Sequence, residues 1–220
     1  MYIGEILTHD DYQLTVEDTI GYALDRMNEL HVHQLPVINQ TELLGVIHEE
    51  DLLSAHNDNQ SLSSLFVSLR FVYLFEDQHI FDALQYTSVH QLDLVPVLDK
   101  DKMYVGVVTL SELSKAINVT LGNDNSGAII VLEVGKNDVA FSHVAHIVES
   151  ENMRILNMSL RNIEESTKTE ITIKVDKQNI SALIASFWRF DYTVKATFND
   201  GNQHSDIKDR YDILMNYLNL

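Results

Sequence analysis

Two stretches decide the fold: Gln34-Leu35-Pro36-Val37-Ile38-Asn39 and Leu94-Val95-Pro96-Val97-Leu98-Asp99. They hold the only two prolines among 220 residues. In each, a short apolar run carries the proline and stops at Asn or Asp, as a strand does on entering a turn. The match continues downstream, where Leu43-Leu44-Gly45-Val46-Ile47 answers Tyr104-Val105-Gly106-Val107-Val108. Both are apolar strands with one glycine. Both lead through a polar segment into a helical pattern, Glu49-Glu50-Asp51-Leu52-Leu53 and Leu110-Ser111-Glu112-Leu113. Upstream, Ile20, Ala23, Leu24 and Met27 have helical spacing, and Ile80, Ala83 and Leu84 echo them.

The prolines are 60 positions apart and the glycines 61, so the second copy has one more residue in its hairpin turn. Each unit reads strand, helix, strand, hairpin, strand, helix. A unit of roughly 50–60 residues has little core of its own, so two such units are expected to pack through their sheets.

Bulk composition narrows the function. Hydrophobic content is 45% and charged content 22%, ordinary for a globular chain. No apolar run approaches the roughly 18–20 residues of a membrane span. The start, Met1-Tyr2-Ile3-Gly4-Glu5, lacks the basic and apolar segments of a signal peptide, so a cytoplasmic location is expected. There is no cysteine, which excludes disulfides and thiolate chemistry. Lys and Arg number 15 against 33 acids, for a net charge of −18 and no long basic cluster. That balance argues against nucleic-acid partners and against anionic membrane surfaces.

The order helix, x-x-Pro-Val-aliphatic-Asn/Asp, then Gly-aliphatic-aliphatic resembles the CBS domain family. The resemblance covers residues 1–118, as repeats of about 1–57 and 58–118. It implies a two-repeat disc with pseudo-twofold symmetry. It also implies two clefts between the repeats for adenosine derivatives such as AMP, ATP or S-adenosylmethionine. A ligand-competent repeat of that family often reads Gly-aliphatic-aliphatic-Thr/Ser-x-x-Asp, with the hydroxyl and helix amides on phosphate and the Asp on the ribose diol.

The pattern is present here in halves. Gly45-Val46-Ile47-His48-Glu49-Glu50-Asp51 keeps the ribose acid, Asp51, but has His48 for the hydroxyl. Gly106-Val107-Val108-Thr109-Leu110-Ser111-Glu112 keeps the hydroxyl, Thr109, but has Glu112 for the acid. The expected nucleotide-binding residues are therefore Asp51, His48, Thr109 and Glu112. A protonated His48 would hold phosphate better, which predicts tighter binding at lower pH. Glu49 and Glu50 disfavour a polyphosphate, so AMP or adenosine is expected over ATP. The alternative for the same residues is structural: Thr109 caps a helix, Glu112 completes a capping box, and Asp51 is a solvated first-turn acid.

After a polar linker over 119–127 the pattern changes. Ala128 to Val134 is a buried-strand run, and Phe141, Val144, Ala145 and Val148 have helical spacing. Ile155 to Leu160 and Glu170 to Val175 alternate as strands. Asp176 is a candidate cap for a helix with apolar face Ile180, Leu183, Ile184 and Phe187, and Thr193 to Phe198 closes as a strand. The order is βαββαβ, a ferredoxin-like split βαβ.

The stretch 128–199 resembles an ACT domain, which implies an amino-acid site at the turn after its first strand. Asn137 and Asp138 occupy that turn, without the usual Pro-Gly pair. In the tail, Ile207, Tyr211, Leu214, Met215 and Leu218 mark an amphipathic helix within 200–220.

The expected fold is thus mixed α/β of the α+β kind: a tandem CBS pair, an ACT-type domain and a C-terminal helix. This order resembles CBS proteins of the acetoin-utilisation AcuB type. No Walker loop, GxGxxG, HExxH or GxSxG motif occurs. His31 with His33 and His143 with His146 are read as surface histidines, with no metal site. No catalytic residue and no resident cofactor is expected. The chain is read as a non-catalytic, homodimeric regulatory module with a small ligand and an unidentified protein partner. A constitutive scaffold with empty clefts is the alternative.

Overall fold

The structure is a computed structural model that describes residues 1–8, 11–55 and 57–199. The chain divides between Thr120 and Leu121 into two units. In the first, β1 (Leu14–Thr15), α1 (Ile20–Leu30), β2 (Gln34–Asn39), β3 (Glu42–His48) and α2 (Glu49–Leu53) form one repeat. β4 (Leu74–Phe75), α3 (Ile80–His90), β5 (Leu94–Leu98), β6 (Tyr104–Thr109) and α4 (Leu110–Thr120) form the other. Each repeat carries a three-stranded sheet, ordered β1-β2-β3 and β4-β5-β6. The first strand pairs parallel to the second, and the second antiparallel to the third.

The prolines fit because of what the third strands do. Val46 gives both its N–H and its C=O to Arg70, and Val107 does the same with Thr8. Those groups therefore point away from β2 and β5, and the pairs Pro36–Val46 and Pro96–Val107 are the non-hydrogen-bonded kind. The proline nitrogen faces the other edge, where β1 and β4 pair only from Val37 and Val97 onward. No ladder bond is lost.

Helices α1 and α3 start and stop alike. Thr19 caps α1 by accepting the Tyr22 N–H at 3.2 Å, and the His79 ring caps α3 from Phe81 at the same distance. Both helices end on a left-handed residue, His31 at φ 54° and Gln91 at φ 53°. Ile20, Ala23 and Met27 face the core, as do Ile80, Ala83 and Thr87, while Leu24 is half-buried and Leu84 is exposed.

The cores are exchanged between the repeats. Ile3, Ile6 and Leu7 pack with Leu74, Ile80, Val95 and Val108 of the second repeat. Leu62, Leu65 and Leu69 pack with Leu14, Ile20, Leu35 and Ile47 of the first. Each repeat is thereby closed by the segment that precedes the other, and burying these side chains ties the two together.

The second unit runs β7 (Ala128–Gly135), α5 (Phe141–Ser150), β8 (Ile155–Asn162), β9 (Lys168–Val175), α6 (Ser181–Arg189), β10 (Thr193–Phe198). Its sheet is ordered β10-β7-β9-β8, with every pair antiparallel. This is the ferredoxin-like order that the βαββαβ reading implies. Ile130, Leu132, Ile171, Ile173 and Val175 pack beneath Val144, Ile147, Val148, Leu183, Ile184 and Phe187.

One expectation fails here. Asp176 does not cap α6, because that helix begins only at Ser181. Its carboxylate instead accepts the Arg154 backbone N–H at 2.9 Å, which joins the start of β8 to the end of β9. The expected C-terminal amphipathic helix lies outside the described residues. Among the described residues, no helix is long and apolar enough to cross a membrane.

Candidate functional site

The first repeat's cleft is assembled from a strand end, a hairpin end and the inter-repeat linker. Gln34 opens β2, and its register partner His48 closes β3. Asp51 lies in the first turn of α2, three residues on. Arg70 arrives from the linker, held by its backbone pairing with Val46. Gly45 permits that approach. A Cβ on Gly45 would stand 2.9 Å from the Leu69 Cβ, and its φ of +151° suits glycine. The glycine of the repeat motif thus helps to place the arginine.

Around these residues lies a cleft of about 340 Å³, lined by His33, Gln34, His48, Glu49, Glu50, Arg70, His90, Gln91 and Asp93. That volume falls at the lower end for small-molecule sites. His33 and Asp93 close one side of it. The His33 backbone N–H donates to Asp93 Oδ2 at 2.9 Å, and its Nδ1 meets the same oxygen at 2.8 Å.

Three buried polar atoms in this region have no hydrogen-bond partner in the protein: Gln34 Nε2, His48 Nε2 and Asp51 Oδ2. Gln34 is only 1% exposed. An unmet buried donor or acceptor costs about 1–3 kcal/mol, so each has a demand that a ligand atom can meet. Asp51 does not line the cleft itself. Its Oδ2 lies 3.8 Å from the Arg70 guanidinium, beyond hydrogen-bond range, while Arg70 binds Glu50 directly.

Burial, and then the neighbouring Arg70 charge, hold His48 below its ordinary pKa, against the opposing pull of Asp51, Glu50 and Asp93. His48 is thus neutral at pH 7. The cationic partner for a phosphate is Arg70, the only Lys or Arg among the lining residues. At only five residues, α2 has little dipole to offer an anion.

The second repeat's expected residues are differently engaged. Thr109 is 8% exposed, and its hydroxyl accepts the Glu112 N–H at 3.2 Å as a helix cap. The Glu112 carboxylate takes Lys115 at 2.7 Å rather than closing a capping box. Leu94 stands where the first repeat has Gln34, and is fully buried. In the second unit Asn137 and Asp138 are exposed on the turn after β7, where the Asp138 N–H returns to the Gly135 carbonyl at 2.9 Å. Lys168 and Lys195 are both paired with acids on that sheet.

Sequence reading brought His48 and Asp51 to this place but missed Gln34, Arg70, His33 and Asp93. Arg70 carried a signal: it and Arg26 are the only Lys or Arg residues before Lys100. Gln34 carried another, as the polar residue of a strand whose counterpart begins with Leu94. A larger groove of about 600 Å³ lies between β4 and α3, lined by Tyr73, Phe75, Tyr86 and His90. None of its lining residues carries a buried polar atom without a hydrogen-bond partner, so it makes no comparable demand.

The chain is 23% identical over 150 residues, 67% of its length, to an inosine-5'-monophosphate dehydrogenase of Methanocaldococcus jannaschii, and spans only 30% of that enzyme. A crystal structure of a CBS domain pair/ACT domain protein from Thermotoga maritima matches 55% of this chain and 99% of its own, at 24% identity and a TM-score of 0.49. A structure assigned to the acetoin utilization protein AcuB of Vibrio cholerae matches 57% of this chain and 98% of its own, at 22% identity and a TM-score of 0.48. The model of the CBS domain matches twice, over residues 3–58 and 64–119. The chain belongs to the CBS domain family and carries two of these domains in tandem.

Proposed function

We propose that the chain is a non-catalytic regulatory module whose first-repeat cleft senses an adenosine derivative of the AMP kind. CBS domain pairs generally bind adenosine ligands and regulate partners. The observation that carries the reading is the group of unpartnered buried atoms on Gln34, His48 and Asp51, next to Arg70. In this reading Asp51 accepts from the ribose diol once Arg70 turns to the phosphate. Glu49, Glu50 and Asp93 leave room for one phosphate and oppose three, which favours AMP over ATP. S-adenosylmethionine, with its cationic sulfonium, is the second compound that an acidic rim suits.

The second unit is read as ACT-like, receiving or relaying the ligand signal, with an amino acid at Asn137 and Asp138 as its own candidate ligand. A homodimer acting on a protein partner in the cytoplasm completes the proposal. Ligand can shift such a module only by binding its two states unequally.

A thermal-shift series with adenosine, AMP, ATP and S-adenosylmethionine tests it. AMP raises the melting temperature more than ATP does, and Asp51→Ala abolishes the rise. If none of the four compounds moves the transition at millimolar concentration, the module is a scaffold and the sensing reading fails.

A further inference from the structure

The two repeats place equivalent positions at equivalent points, yet their clefts are unequal. Gln34 is almost wholly buried, lines the first cleft, and has an unmet amide nitrogen. Its register partner His48 has an unmet ring nitrogen. The counterpart pair is Leu94 and Thr109, one apolar and the other already accepting the Glu112 N–H. Among the described residues, every buried side-chain polar atom without a partner belongs to the first repeat.

We infer that Gln34 is the specificity-determining residue of the pair: it makes the first cleft the ligand site, and each chain holds one ligand there. This deepens the adenosine reading above and rests on it. A glutamine amide both donates and accepts, so a buried one recognises a ligand edge by hydrogen-bond geometry rather than by charge. A purine edge or a sugar hydroxyl offers such an edge. Leu94 offers none, and the Thr109 hydroxyl already accepts the Glu112 N–H.

The experiment uses the full chain with Gln34→Leu and Gln34→Met, each read twice: by calorimetry with AMP, and by the melting temperature without ligand. Wild type binds one AMP per chain. Both variants lose affinity by roughly tenfold or more. Both also melt at a higher temperature than wild type when ligand-free, because an apolar side chain leaves no unmet amide. A residue needed only for folding would lower the melting temperature as binding is lost, and that outcome overturns the inference. Unchanged AMP affinity in both variants, or two AMP per wild-type chain, overturns it while the adenosine reading stands. Absence of AMP binding to wild type fails the adenosine reading itself, and the inference with it.

Discussion

His33 and Asp93 stand 60 positions apart, at the same place in the two repeats, and they bind each other: Asp93 Oδ2 meets both the backbone N–H and the Nδ1 of His33. The packing of the two repeats thus brings one motif position against its own counterpart, where one copy is a base and the other an acid. The carboxylate, first by its hydrogen bond and then by its charge, raises the His33 pKa above 6.5, with Glu49 adding to the effect.

The pair predicts a pH dependence of definite sign. The His33 pKa is raised in the folded state, so the stabilisation is full below about 6.5 and is lost as pH rises through the folded value. A histidine titration by NMR should show His33 above 6.5 in wild type and lower in Asp93→Asn. An unchanged His33 titration in that variant would refute the contact in solution. His33 is largely exposed, so the effect on overall stability is small.

His48 titrates in the opposite direction. Its folded pKa lies below 6.5, so its contribution is full above that value and is lost as pH falls below it. With His33, which lines the same cleft and has a raised pKa, replaced by Asn, AMP affinity should therefore be level from pH 8 to pH 7, and any gain from a protonated His48 should begin only below 6.5. A steep rise in affinity between pH 8 and pH 7 in that variant would contradict a half-buried, neutral His48.

Arg70 is assigned the phosphate. Arg70→Ala should weaken AMP roughly 10- to 100-fold, the worth of a charged hydrogen bond. Adenosine, which has no phosphate, should be affected far less. Equal losses for AMP and adenosine in calorimetry would remove Arg70 from that role.

Gly45→Ala tests how the arginine is placed. Its Cβ would meet the Leu69 Cβ at 2.9 Å on a backbone of φ +151°. A cost of about 1–3 kcal/mol is expected in urea unfolding, together with weaker AMP binding because the linker strand is displaced. Full retention of both properties would show that the close approach of Leu69 and Arg70 is unnecessary.

The repeat was legible because local chemistry encodes it. Backbone geometry favours glycine at Gly45 and Gly106 and tolerates proline at Pro36 and Pro96, and their spacing survives in the sequence. The apolar run of β7 and the alternation in β8 and β9 likewise revealed the second unit. What was not legible depends on contacts between distant segments. Arg70 enters the cleft only because a linker pairs with Val46, 24 positions earlier. Asp93 reaches His33 only because the two repeats pack together. Asp176 looked like a helix cap because its type is right, but the helix starts five residues later and the carboxylate found Arg154.

The most direct measurement is a crystal structure of the full chain grown with millimolar AMP. One nucleotide is expected in the first-repeat cleft, its ribose diol on Asp51, its phosphate on Arg70, and a hydrogen bond to the Gln34 amide. A first-repeat cleft still empty at that concentration, or AMP seated only beside Thr109, would contradict it.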